Sequence, residues 1–166
     1  MEINHKNGLF IPDYLEKYLH EKLSILKPKY SLEFGTGTGT ATEIIAKYSE
    51  CVDTFETYKE WSDFSKNKLE KYDNINFNIG YFHHEMPLEM NRYNFAFIDG
   101  PKGAPGIERI SPFLYQWKNI KSGALCIFDD ANQKGVRTLL KILHDIFKIN
   151  YIISGVGRGI GEFVKP

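Results

Sequence analysis

The sequence lacks the features that would tie the chain to a membrane, a polyanion or a disulfide framework. Lysine and arginine together number 21, as do aspartate and glutamate, so no excess of positive charge attracts nucleic acid. No apolar run reaches about 18 residues, and the first residues have no apolar signal-peptide core. Cys51 and Cys126 form no CxxC pair, which is typical of reduced thiols. We therefore expect a cytoplasmic protein without a membrane partner.

The length and the hydrophobic pattern predict one α/β domain. A chain of 166 residues can bury roughly two-thirds of its unfolded surface in a single core. Apolar side chains recur at helical spacing over residues 11–26, and Lys27-Pro28 ends this pattern. Residues 1–28 are therefore interpreted as an N-terminal helical cap. Residues 29–166 alternate short apolar strands with amphipathic helices and are interpreted as a ligand-binding core.

A glycine-rich loop directly follows the first predicted strand. Residues 31–34 run into Gly35, Gly37 and Gly39, and helical spacing resumes immediately afterwards. A strand, a glycine turn and a helix together bring backbone N–H groups close to a ligand, and a nucleoside can lie where any Cβ would clash. The Gly-Lys-Ser/Thr of a phosphate loop is absent, and Thr40 stands where the dinucleotide fingerprint requires its third glycine. The alternative is a tight β–α connection with incidental glycines.

The acidic-x-Gly-x-Gly-x-Gly pattern from Glu33 to Gly39 resembles motif I of the class I S-adenosylmethionine-dependent methyltransferases. The resemblance implies a Rossmann-like fold, in which a doubly wound, mostly parallel seven-stranded sheet forms the middle of three α/β/α layers. A C-terminal antiparallel hairpin over residues 151–164 would close that sheet. S-adenosylmethionine would be the cofactor and S-adenosylhomocysteine the product. The residues predicted to contact the cofactor are Glu33, Phe34, Gly35, Thr36, Gly37, Gly39, Thr40, Glu56, Thr57, Gly80, Tyr81 and Asp99.

Glu56 ends the second predicted strand, 21 positions beyond Gly35. Doubly wound folds place a carboxylate at about 20 residues from the first glycine, where it accepts hydrogen bonds from ribose hydroxyls. An exposed loop acid or a helix cap is the alternative. After the third strand the sequence has Gly80-Tyr81, whereas methyltransferases of this class usually carry aspartate near the adenine. The adenine contacts therefore cannot be assigned residue by residue.

Three aspartates end the fourth and fifth predicted strands. Asp99 follows one apolar run, and Asp129 and Asp130 follow the next. The carboxyl ends of parallel strands share one edge of a sheet, and three converging carboxylates repel one another unless a positive group lies between them. Hard oxygen ligands suit Mg²⁺, so we predict a metal site at Asp99, Asp129 and Asp130. The alternatives are helix capping by Asp129 and Asp130 and a metal-free site at Asp99.

The run Asp99-Gly100-Pro101-Lys102 resembles the Asp-x-x-Lys of metal-dependent O-methyltransferases of the catechol type, and Asp129-Asp130 resembles the macrocin type. The resemblance implies that Asp99 and Lys102 are catalytic, with Lys102 as general base, and that a small-molecule hydroxyl is methylated with the help of a divalent metal. Two alternatives stay open. One is a metal-independent methyltransferase acting on nitrogen, peptide or nucleic acid, and the other is a non-catalytic cofactor-binding subunit. A homodimer is compatible with the sequence.

Overall fold

The structure, a computed structural model, describes residues 11–80, 90–100, 108–155 and 157–166. Helices and strands alternate along these parts of the chain except at β3–β4 and β6–β7, and a short 3-10 turn, Trp117–Asn119, follows the fourth helix. The elements are α1 Asp13–Leu26, β1 Tyr30–Phe34, α2 Thr40–Tyr48, β2 Cys51–Glu56, α3 Lys59–Lys68, β3 Ile75–Ile79, β4 Tyr93–Ile98, α4 Ile110–Gln116, β5 Ile120–Asp129, α5 Lys134–Phe147, β6 Tyr151–Ser154 and β7 Ile160–Val164.

The strands form one seven-stranded sheet in the order β3-β2-β1-β4-β5-β7-β6. The first five strands along the chain pair in parallel, whereas β7 is antiparallel to both β5 and β6. The predicted mostly parallel sheet with a C-terminal antiparallel hairpin is therefore confirmed. The strand order reverses between β1 and β4, and this switch point is where open α/β sheets form a crevice.

Helices cover both faces of the sheet, so the three-layer prediction is also confirmed. Along β4, Phe95 and Phe97 point into one apolar cluster with α1 and α2, whereas Ala96 and Ile98 point into a second cluster with α4 and α5. This alternation follows from the two-residue period of a strand. Within the described ranges, no helix is both long and apolar enough to span a membrane. Neither cysteine forms a disulfide.

Two boundaries that the local sequence predicts are wrong. The composition of Lys121-Ser122-Gly123 predicts a turn, but these residues belong to β5, whose pairing with β4 shifts in register between Tyr93 and Phe95. Gly123 has a φ of +81°, and its N–H donates to the carbonyl of Lys165, so this irregularity keeps turn-forming residues within the strand. The pair Ser111-Pro112 predicts an N-cap followed by the first helical residue, but α4 begins one residue before Ser111, at Ile110.

The two central strands meet at a pair of glycines. A Cβ on Gly100 would lie 2.7 Å from the Cα of Gly35, and a Cβ on Gly35 would lie 2.8 Å from the nitrogen of Gly100. Real Cβ atoms do not approach backbone atoms this closely, so only glycine fits at both positions. The contact fixes the glycine loop against the end of β4.

A buried carboxyl beneath the loop connects three elements. Glu33 of β1 is fully buried, and its Oε2 accepts hydrogen bonds of 2.6 Å from the hydroxyls of Thr42 in α2 and Thr54 in β2. The oxygen of Thr54 in turn lies 2.6 Å from the hydroxyl of Thr36 in the loop. Burial raises the pKa of Glu33 to about 8, against a partial opposing effect of the two hydroxyl donors. The loop therefore rests on a carboxyl that favours its neutral form.

Gly100→Ala should destabilise the fold by about 3 kcal/mol, because the added methyl group collides with backbone rather than with an adaptable side chain. Thermal and urea unfolding measure this loss. Gly123→Ala is the control, since its Cβ would meet nothing within 4 Å and it introduces only the strain of a positive φ, about 1–2 kcal/mol. An equal loss in both variants would contradict the importance of the close contact.

Glu33→Gln should stabilise the protein increasingly as the pH rises from 5 to 8. The native state holds a proton on Glu33 up to a pKa of about 8, whereas the unfolded chain releases it near the ordinary value of 4.5, so rising pH favours unfolding of the wild type. The stability difference should grow by up to about 1.4 kcal/mol per pH unit. Urea unfolding across this range measures it, with Glu50→Gln, which removes an exposed carboxyl, as the control. A difference that does not change with pH would show that Glu33 is ionised in the native state.

Candidate functional site

A cleft opens at the carboxyl ends of β1, β2 and β4, at the switch point of the sheet. Open α/β sheets bind their ligands in a crevice at this position. The cleft is lined by Ile11, Gly35, Thr36, Gly37, Thr38, Thr40, Ala41, Phe55, Glu56, Thr57, Tyr58, Trp61, Asp99 and Gly100. The glycine loop therefore forms one wall, as the strand–loop–helix pattern predicted.

Glu56 connects the loop to the second strand. Its Oε2 accepts a hydrogen bond of 2.9 Å from the N–H of Gly37, and its Oε1 accepts from the N–H groups of Thr57 and Tyr58 at 2.8 and 3.0 Å. The Thr57 hydroxyl also donates to Oε1 at 3.3 Å, so Oε1 has three donors, whereas Oε2 has one and keeps a lone pair for a ligand in the cleft that Glu56 lines. Its place at the strand end agrees with the predicted position of a ribose-binding carboxylate.

The predicted cofactor residues fall into three groups. Seven of them line the cleft, namely Gly35, Thr36, Gly37, Thr40, Glu56, Thr57 and Asp99. Four lie outside its lining: Glu33 and Phe34 are fully buried in β1, Gly39 packs against Leu69, and Gly80 follows β3. Tyr81 lies outside the described residues, as does the predicted catalytic Lys102. Cofactor contacts by these residues stay predictions.

Sequence reasoning missed the aromatic part of the lining. Tyr58 and Trp61, at the beginning of α3, both line the cleft, and Tyr58 is 60% exposed. Flat rings on this wall suit an aromatic base, which stacks on them. The signal was present in the sequence, because both residues follow Glu56 within five positions.

The three predicted aspartates converge, as expected. One carboxylate oxygen each from Asp99, Asp129 and Asp130 lies within 4.8 Å of the others, next to the cleft that Asp99 also lines. Asp129 and Asp130 are buried, and the Asp99 side chain is 16% exposed. Among the described residues this is the only acidic group with a spacing suited to a metal ion. We call these three residues the aspartate cluster.

Two arginines that sequence analysis did not single out neutralise the aspartate cluster. Arg158 donates through Nη2 to Oδ2 of Asp129 at 2.7 Å, and its Nε makes a very short contact with Asp130. Arg109 donates through Nη2 to Oδ2 of Asp130 at 2.9 Å, and Asp99 Oδ1 is 3.6 Å from Nη2 of both arginines. The positive groups that the converging carboxylates required are thus guanidinium groups of the chain itself.

The capping alternative for Asp129 and Asp130 does not hold. Helix α5 has Gln133 at its N-cap, without a side-chain capping bond, and the carboxylates of both aspartates contact arginines instead. Asp130 has a φ of +60°, a left-handed conformation that aspartate tolerates better than most residues. Asn132 also points elsewhere, because it donates to the carbonyl of Gly157 and accepts from Arg137.

Burial and neighbouring charges shift the pKa values of the three aspartates in different directions. Burial, together with the charge of Asp129, raises the pKa of Asp99 to about 7. Burial also raises the pKa of Asp129, although Arg158 opposes the shift. For Asp130 the burial effect is outweighed by hydrogen bonds from Arg158 and by the charge of Arg109, which hold its pKa below the ordinary value. Asp130 is therefore the member most firmly held as an anion.

The carboxylates of the aspartate cluster are a suitable type of ligand for a divalent cation, but guanidinium groups already compensate their charge. Carboxylate oxygens are suitable ligands for Mg²⁺, and Oδ1 of Asp129 has no hydrogen-bond partner among the described residues. However, two guanidinium groups already face the three carboxylates, and Arg158 contacts all three of them. With Arg158 in this position, Mg²⁺ does not fit. The metal site therefore stays a prediction, and binding of a metal there would require the guanidinium of Arg158 to move away.

Comparison with solved structures identifies the fold. No family model and no curated protein sequence matches the chain. The O-methyltransferase TomG of Streptomyces achromogenes aligns over 96% of this chain and 82% of its own, with a TM-score of 0.78 and 16% identity. An O-methyltransferase of Bacillus cereus, solved with S-adenosylhomocysteine, aligns over 95% and 84%, with a TM-score of 0.78 and 18% identity.

A tRNA methyltransferase of Aquifex aeolicus, TrmI, has the same architecture. It aligns over 96% of this chain and 71% of its own, with a TM-score of 0.69 and 20% identity. Identities this low establish a shared fold but do not show that the proteins share a substrate. The chain therefore has the Rossmann-like fold of class I S-adenosylmethionine-dependent methyltransferases, as the glycine-loop motif predicted.

Proposed function

We propose that the protein is an enzyme that transfers the methyl group of S-adenosylmethionine to a hydroxyl of a small molecule. The observation that carries this proposal is the position of Asp99, which lines the cleft beside the glycine loop and also belongs to the aspartate cluster. One residue thus joins the proposed cofactor site to a second group of charged residues. A methyl transfer needs this adjacency, because the donor sulfur and the acceptor must lie in line within van der Waals distance.

The cofactor half of the proposal rests on the glycine loop and Glu56. The glycines allow a ribose to approach the main chain, and Oε2 of Glu56 accepts a hydroxyl hydrogen from it. Tyr58 and Trp61 offer ring surfaces to the adenine on the same side of the cleft. The acidic surroundings also suit a cofactor with a positively charged sulfonium.

The acceptor half uses Asp99 to orient the hydroxyl. In the reaction the acceptor oxygen forms a bond to the methyl carbon while the sulfur–methyl bond breaks, and the sulfur keeps the bonding electron pair. The hydroxyl proton leaves to a base. Lys102, three positions beyond Asp99, is our candidate for that base, on the strength of its place in the sequence. No step is assigned to Mg²⁺, because Arg158 already contacts its three expected ligands.

A small molecule is favoured over nucleic acid as the acceptor. The equal numbers of acidic and basic residues provide no general attraction for a phosphate backbone. Phenols, catechols and sugar hydroxyls are therefore the first acceptor classes to examine.

Calorimetric titration with S-adenosylhomocysteine tests the cofactor half. Wild-type protein should bind it, and Glu56→Gln should weaken binding about 10- to 100-fold, because hydrogen bonds to a charged acceptor are lost. Glu60→Gln is the matched control, since it removes an exposed carboxylate in the first turn of α3. Unfolding curves of each variant separate loss of binding from loss of fold. Absence of binding to the wild type would overturn the proposal.

Release of S-adenosylhomocysteine in the presence of hydroxyl-bearing acceptors tests the transfer itself. Asp99→Asn should lower turnover on an accepted substrate by about 100-fold while changing cofactor affinity much less, because it loses the anionic contact to the hydroxyl. Mass spectrometry of the product locates the methyl group. Methylation at nitrogen, or of RNA in place of every small acceptor, would contradict the proposed acceptor class.

A further inference from the structure

We propose that Arg158 is a resident cation of the aspartate cluster, where it occupies the position of a divalent metal between the three carboxylates and keeps the site metal-free. The inference deepens the proposed function, on which its activity measurements rest. Its metal-binding measurements do not depend on methyl transfer. The proposal would make this chain differ from the metal-dependent enzymes whose aspartate pattern it shares.

The contacts of Arg158 are those of a shared counter-ion. Its Nη2 lies 2.7 Å from Oδ2 of Asp129 and 3.6 Å from Oδ1 of Asp99, and its Nε contacts Oδ1 of Asp130. One guanidinium thus reaches a carboxylate from each member of the aspartate cluster. Its planar fork of donors suits several carboxylate oxygens at once, which a compact ammonium group would not match.

Backbone contacts hold the main chain of Arg158 next to the aspartate cluster. The N–H of Asn132 donates to the carbonyl of Arg158 at 2.8 Å, and the N–H of Ala131 donates to that of Gly159 at 3.0 Å. Gly159 has a φ of +71°, and a Cβ there would lie 2.5 Å from Nδ2 of Asn132. The turn between β6 and β7 is therefore packed directly on the residues that follow Asp130. The fold therefore places the main chain of Arg158 beside the aspartate cluster, and the ion pairs with the three carboxylates hold the guanidinium there.

Arg109 and Arg158 have different roles in the same network. Arg109 is 2% exposed and also donates to the main-chain carbonyls of Asp129 and Asp99, so it holds the ends of β5 and β4 together. Arg158 is 34% exposed, and its guanidinium contacts with the described residues are to carboxylates. Arg158 can therefore be replaced without removing main-chain contacts of the sheet.

Removal of Arg158 would leave the aspartate cluster with an excess of negative charge. Three carboxylates would then face Arg109 alone. Oδ1 of Asp129 already has no hydrogen-bond partner among the described residues, and Oδ2 of Asp129 would lose the bond from Arg158. Such a group of buried oxygens favours a divalent cation. In the wild type, Arg158 supplies positive charge to these oxygens, so they do not require a divalent cation.

Binding of Mn²⁺, followed by electron paramagnetic resonance and calorimetry, tests the inference. Arg158→Ala should bind one ion about 100-fold more tightly than the wild type, because a unit charge beside the site is removed. Arg158→Lys, which keeps the charge, should stay close to the wild type. Lys134→Ala is the matched control, as it removes an exposed charge four residues beyond Asp130 and should bind no better than the wild type. Adding Asp129→Asn to Arg158→Ala should abolish the gained site.

Equal Mn²⁺ affinity in the wild type and Arg158→Ala would overturn the inference, as would a gain of the same size in Lys134→Ala. If Arg158→Ala does not fold, Arg158→Gln replaces it, since glutamine removes the charge but retains a hydrogen-bond donor. With an accepted substrate, wild-type turnover should be unchanged by a chelator, and Arg158→Ala turnover should rise on addition of Mg²⁺. Loss of wild-type turnover on chelation would overturn the inference even if methyl transfer itself is established.

Discussion

The contact between Gly35 and Gly100 is the constraint on which the rest of the site depends. It brings the ends of β1 and β4 together at the point where the strand order reverses. Gly35 begins the loop that lines the cleft, and Gly100 directly follows Asp99. Because both residues lack a side chain, the cleft and the aspartate cluster can share a wall. A single Cβ at either position would separate them.

Much of the fold could be predicted from local sequence. Strands such as β4 and the buried face of α1 follow directly from apolar spacing, and the order of elements implied a parallel sheet. The errors occur where tertiary contacts override local preference. Gly123 resembles a turn residue, yet the pairing of β5 with β4 and β7 keeps it in a strand. Ser111 resembles an N-cap, yet the buried Arg109 precedes the first residue of α4.

The candidate site was only half predictable for a similar reason. Asp99 and Asp129 can be identified at the ends of apolar runs, and parallel strand ends must share an edge. Arg158 reaches them from the turn after β6, and no local pattern links residues so far apart. A weaker signal was available, because only four of the 21 basic residues are arginine. Arginine is favoured over lysine in buried ion pairs, so each of the four arginines was a candidate partner for the predicted aspartates.

The two halves of the site neutralise buried acids in different ways. Beneath the glycine loop, Glu33 has a raised pKa and hydroxyl partners, so protonation removes its charge. At the aspartate cluster, guanidinium groups compensate charges that remain. Burying such an ion network costs stability compared with apolar packing. What the network supplies is a fixed arrangement of strand ends, because Arg109 donates to the main-chain carbonyls of Asp99 and Asp129, and Arg158 contacts the carboxylates at the ends of β4 and β5 from the turn after β6.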